Sequence, residues 1–80
     1  MADEDVITRI NDLAHEEHQL FEKESEGKAS ARERERLREI EVQLDQCWDL
    51  LHQRRARRSA GLDPDEATVR PETMVEGYVD

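Results

Sequence analysis

Residues 30–61 read SARERERLREIEVQLDQCWDLLHQRRARRSAG, and this stretch decides the fold. It opens on Ser30-Ala31-Arg32-Glu33, a capping-box spacing. The Ser30 hydroxyl can accept from the Glu33 amide, while the Glu33 side chain bonds back. Leu37, Ile40, Leu44, Cys47 and Leu51 then recur at steps of three and four, the heptad rhythm of a helix with one buried seam. Arg32 and Arg36 alternate with Glu35 and Glu39 along the exposed surface. Arg54, Arg55, Arg57 and Arg58 put cations at the end, where they complement the macrodipole. Gly61 is the stop signal. The reading is a helix of about 28 residues, roughly 40 Å long.

Working toward the N-terminus, a second stripe appears. Val6, Ile7, Ile10, Leu13, Ala14, Leu20 and Phe21 share one helical face, interrupted by Glu17. Asp3, Glu4 and Asp5 precede it, as suits a helix start. Gly27 is a left-handed C-cap residue. The link around Gly27-Lys28-Ala29 is short, which favours antiparallel neighbours. Folding about residue 28 sets Ile10 near Cys47, Leu13 near Leu44, Glu17 near Ile40 and Leu20 near Leu37. The two stripes match in register.

Toward the C-terminus the pattern changes. Asp63-Pro64-Asp65-Glu66 reads as a one-turn helix start, with Asp63 as N-cap and Pro64 first, running through Ala67. Arg70-Pro71 demands an extended step. A further short turn is expected from Pro71 to Glu76, stopped by Gly77. Val69, Met74, Val75, Tyr78 and Val79 are spaced like a strap that docks on a surface.

The fold class is therefore all-α: an antiparallel two-helix hairpin, residues 3–26 and 30–59, coiled-coil-like, with an irregular tail. The hairpin unit takes residues 1–60 and the tail residues 61–80. Of the 80 residues, 35% are hydrophobic and 41% charged, with one Phe, one Trp and one Tyr. A core this thin rarely supplies more than about 3–5 kcal/mol unaided. Cys47 is the only cysteine, so no internal disulfide can help. Trp48 beside the seam, Leu50 on its other flank and Val42 on the far side exceed what a hairpin can bury. These considerations predict a homodimer, a four-helix arrangement, or cover by the tail.

The net charge is −9. Such a chain is repelled by phosphate backbones and anionic membranes. The first 30 residues carry nine acids against three bases, the next 30 six against eight, and the last 20 six against one, so the first helix and the tail complement the second helix. The N-terminus is acidic where a secretory signal is basic. No apolar run approaches a membrane span of about 20 residues. The expected location is the cytosol.

No catalytic site is readable. His15-Glu16-Glu17-His18 lacks the spacing of the two-histidine zinc helix. Asp12 with His15, and Asp49 with His52, set a carboxylate and an imidazole one turn apart, as di-iron bundles do with Glu and His. The hairpin register keeps these two pairs apart, and Leu13 and Leu51 claim the inward direction. Cys47 lies on the seam between Asp45 and Asp49, which suits a small buried hydrophobe better than a reactive thiolate. Arg54, Arg55, Arg57 and Arg58 form the only basic cluster. It offers a patch for an acidic partner or RNA, or simply a helix end paired with the acids of the first helix and tail. No aromatics interleave it, and with the net charge this disfavours nucleic acid.

Leu44-Asp45-Gln46-Cys47-Trp48-Asp49-Leu50-Leu51, followed by Gln53-Arg54-Arg55-Ala56, resembles a family of small actinobacterial proteins catalogued as domain of unknown function 2630. Glu16-Glu17-His18, Asp63-Pro64, Val69-Arg70-Pro71 and Val75-Glu76-Gly77-Tyr78 fit it too. The resemblance covers essentially the whole chain. It implies a bacterial cytosolic protein of this length and carries no activity or functional residue over. His52 stands where relatives are expected to have arginine.

The functional expectation is a non-enzymatic protein–protein interaction module without cofactor, a small adaptor or regulator. Its interface is expected at Trp48, Leu50, Val42, Met74 and Tyr78, with Arg54, Arg55, Arg57 and Arg58 steering the partner. The alternatives are a metal-binding or redox-responsive helical protein, through the Asp/His pairs or Cys47, and an RNA-contacting protein through the arginines.

Overall fold

The computed structural model describes residues 2–71. Two helices, α1 (Asp3–Ser25) and α2 (Ala31–Ser59), pack against each other and are followed by a 3-10 turn at Pro64–Glu66. The all-α hairpin expected from the two stripes is the fold. Its boundaries fall within one residue of the expected ones.

Local chemistry sets those boundaries. Asp5 accepts from the Ala2 backbone N–H at 3.1 Å, at the start of α1. The Ser30 hydroxyl accepts from the Glu33 N–H, and the Glu33 carboxylate accepts from the Ser30 N–H, both at 3.1 Å. This is the reciprocal cap that the sequence spelled out. Both helices stop in the same way. Gly27 and Gly61 adopt φ +71° and +75°. The N–H of Lys28 then reaches back to the Lys23 carbonyl at 2.9 Å, and that of Leu62 to the Arg57 carbonyl at 2.7 Å. Each is a Schellman closure, which needs a left-handed residue that only glycine adopts without strain.

The core is Val6, Ile10 and Leu13 from α1, with Leu37, Ile40, Leu50 and Leu51 from α2. Ile40, Leu51 and Val6 are the most completely enclosed. Leu44, Cys47 and Ala67 pack against the cluster of Val6, Ile10, Leu50 and Leu51. The antiparallel register is that of the two stripes: Asp3 meets Arg54 at the open end, and Lys23 meets Glu33 beside the turn.

After Gly61 the chain doubles back along α2. Asp63 accepts from the Asp65 N–H at 2.9 Å and starts the 3-10 turn, with Pro64 first, as expected. Residues 67–71 are then irregular. The strap is pinned to α2 by polar side chains. Gln53 donates to the Thr68 carbonyl at 2.8 Å, and Gln46 to the Arg70 carbonyl at 3.3 Å. The expected turn from Pro71 to Glu76 lies outside the described residues.

Leu50, which the hairpin alone leaves over, is buried within a single chain beside Val6, Ile10 and Leu51, so at this position the cover comes from the tail, one of the two expected sources. The strap explains it: Ala67 packs on that cluster, and Val69 lines a cleft with Leu50 and Cys47.

Candidate interaction surface

The arginine cluster at the end of α2 is largely engaged within the chain. Arg54 is buried, with only 5% of its surface exposed. Its guanidinium donates to Asp3 Oδ1 at 2.6 Å, and to the Pro64 carbonyl and Asp65 Oδ1 at 3.1 Å each. One side chain thus joins α1, α2 and the strap. Arg57 donates to the Asp63 carbonyl and to Glu66 Oε2, both at 2.6 Å. Arg58 closes on Asp3 Oδ2. Hydrogen bonds from Arg58 and then Arg54 hold the Asp3 carboxyl well below the usual carboxylate range. Three of the four arginines expected to form a partner patch are therefore paired internally, because the hairpin and strap bring the acids of both ends to them. Arg55 and Arg58 are both exposed, and Arg55 is the one without an ion pair among the described residues.

Asp49 plays the matching part further back. It is buried, and Arg70 of the strap grips both its oxygens, Nε to Oδ2 at 2.8 Å and Nη2 to Oδ1. Gln53 adds a bond to Oδ2 at 2.9 Å. The Arg70 contact lowers the Asp49 pKa more than burial raises it. A bidentate arginine–carboxylate pair is geometrically specific as well as strong. The spacing of Asp49 and His52 invites a metal-ligand reading. The Asp49 oxygens are occupied instead, and His52 stacks near the Trp48 ring at 6.4 Å between centroids, tilted by 39°.

The other ligand candidates stay dispersed. His18 pairs with Glu22 at 3.1 Å one turn on, and His15 Nε2 lies 3.3 Å from Gln19 Nε2. Among the described residues no group of three His, Cys, Asp or Glu side chains converges on a point. Cys47 is half-buried at the cleft of about 200 Å³ lined by Val6, Arg9, Gln43, Gln46, Leu50 and Val69. Burial pushes its thiol pKa up, against a smaller opposing pull from Arg9. That is the environment of an inert cysteine.

The two long edges of the hairpin differ. The strap covers the edge of α2 that carries Gln46, Leu50, Gln53 and Arg57. On that side Arg36 grips Glu16 with two bonds, at 2.7 and 3.0 Å. Among the described residues the opposite edge has no such cover. Ile7, Ala14 and Phe21 repeat at intervals of seven and so align along α1. Phe21 borders Arg34, Leu37, Arg38 and Glu41 of α2. Trp48 lies seven residues beyond Glu41 on the same line of α2. Ile7, Phe21 and Trp48 are 41%, 46% and 45% exposed. Of the residues expected at an interface, Trp48 is thus at the surface and Val42 is half-buried. Met74 and Tyr78 lie outside the described residues. Ile7 and Phe21 were missed, because a two-helix reading assigns every apolar residue of the α1 stripe to the seam. Their seven-residue spacing, offset from Val6, Ile10 and Leu13, was the available signal.

A two-helix hairpin with a clasped C-terminal strap and one open apolar edge is the class that this geometry defines. The chain belongs to the family described as protein of unknown function (DUF2630), which matches residues 2–80. Uncharacterised proteins of Mycobacterium tuberculosis and Mycobacterium bovis are each 51% identical to it over 77 residues, covering 95% of this chain and 88% of theirs. The family expected from the central stretch is thus the family found. No solved structure matches the chain. No helix among the described residues is long and apolar enough to cross a membrane.

Proposed function

We propose that this protein is a non-catalytic protein-interaction module, a small cytosolic adaptor or regulator that binds through the edge of the hairpin opposite the strap. The observation that carries the reading is the alignment of Ile7, Phe21 and Trp48, each more than two-fifths exposed, along one edge. Apolar surface gathered on one edge marks association, whereas scattered apolar residues need no explanation. Tryptophan is also the side chain most enriched where binding energy concentrates. The titratable side chains support the same reading. Asp3, Asp49, Arg54 and Arg70 are joined in ion pairs that close the fold, rather than grouped at a cavity.

The test is solution mass by light scattering over a concentration series, for the wild type and Trp48→Ala, with capture from a native lysate run in parallel on both. The expected result is an assembly or a captured partner that weakens on loss of the indole. Equal behaviour of the two proteins in both assays overturns the reading.

A further inference from the structure

The open edge of α2 has an internal order that the apolar residues alone do not reveal. Ala31, Arg34, Arg38, Glu41, Asp45 and Trp48 follow one another at steps of three, four, three, four and three, so they fall on one stripe of the helix. All six are exposed. The side chains of the four charged members make no ion pair or hydrogen bond among the described residues. The strap-side edge differs in this respect, since Arg36 with Glu16 and Lys23 with Glu33 are paired there.

Read in the opposite direction, the step pattern is the same and the character of every position is inverted. Arg34 falls opposite Asp45, Arg38 opposite Glu41, and the small Ala31 opposite the large Trp48. A surface that complements its own reverse is what a two-fold interface requires, because such an interface uses the same patch on both subunits. Opposite charges placed face to face fix the register of paired helices and exclude others.

Resting on the reading of this edge as an interaction surface, we propose that its occupant is a second copy of the chain, with α2 running antiparallel to the partner's α2. The two-fold axis passes between Glu39 and Ile40. Arg34 then faces the partner's Asp45, Arg38 faces the partner's Glu41, and Trp48 lies over the partner's Ala31. Along α2, Trp48 and Ala31 are 17 positions apart, so the contact runs for about 26 Å at 1.5 Å per residue. Phe21, which borders Arg34 and Arg38, flanks the same contact.

Sedimentation equilibrium of the full chain at low ionic strength tests this with Arg38→Glu and Glu41→Arg. Both side chains are exposed and unpaired among the described residues, so circular dichroism should show each variant folded. The wild type should dimerise. Each single reversal places like charges together at two symmetry-related points and should weaken the dimer roughly tenfold or more. An equimolar mixture of the two variants should restore it, because the heterodimer carries two correctly signed pairs. The double variant should do the same. A monomeric wild type overturns the proposal, and so does a mixture no tighter than its components. A dimer indifferent to both reversals but weakened by Trp48→Ala overturns this register alone and leaves the reading of the edge standing.

Discussion

Arg54 Nε donates to Asp3 Oδ1 at 2.6 Å, linking the first residue of α1 to the last turns of α2. The same guanidinium holds Pro64 and Asp65 of the strap. Removing it empties a buried position and strips a partner from the half-buried Asp3 carboxylate, from Asp65 and from the Pro64 carbonyl at once, which is more damaging than losing an exposed pair. Arg54→Ala is therefore expected to lower the thermal midpoint clearly. Arg55→Ala, one residue on and exposed, should change stability by no more than about 0.5 kcal/mol. Arg54→Lys should not rescue, because an ammonium cannot present the fork that reaches three acceptors. Thermal melts of the three variants check the order.

The strap should detach without the hairpin unfolding. Asp49→Ala removes the acceptor of both Arg70 bonds and of the Gln53 bond. Hydrogen bonds to charged groups contribute about 1.5–3 kcal/mol each in comparable settings. Limited proteolysis should then cut between residues 62 and 70 faster than in the wild type, while α1 and α2 keep their amide protection. Equal cleavage rates would show that the strap is held by other contacts.

The glycine closures give a sharp local prediction. Gly61→Ala meets no side-chain obstacle, since nothing lies within 4 Å of the added carbon. Its cost is the left-handed backbone alone, about 1 kcal/mol. A urea titration should show that loss with an unchanged slope.

Acid should loosen the molecule in a defined window. Asp3, Glu16, Glu33 and Asp49 are all held below their ordinary values, chiefly by Arg58, Arg36, Lys23 and Arg70 respectively. A carboxyl depressed in the folded state binds protons more readily when unfolded. Its contribution is therefore complete above the unfolded value, about 4, and is lost as pH falls through the folded one. The urea midpoint should be flat from about pH 5 to 8 and decline below about 4. Asp49→Asn should show a shallower decline.

The hairpin was legible because its information is local. Ser30 with Glu33, Gly27, Gly61 and the three-four spacing each act within a turn or two of chain. The fate of Leu50 and Arg54 was not, because it depends on where a separate segment lies. Gln46, Gln53 and Asp49 read as an ordinary polar face until the backbone of Thr68 and Arg70 is placed against them. For Arg54 one clue existed: it stands three residues after Leu51 on the same seam as Leu44 and Cys47, and a buried position invites a paired charge. Trp48 was correctly placed at the margin, but the match of its stripe to its own reverse emerges only once the strap has claimed the other side.

Trp48 is the sole tryptophan, so its fluorescence reports the open edge directly. The decisive measurement is its emission maximum and its quenching by acrylamide as protein concentration rises. An exposed indole in the dilute protein, shifting to shorter wavelength and becoming protected as concentration increases, is the predicted result. A Trp48 that stays exposed at every concentration would contradict the account.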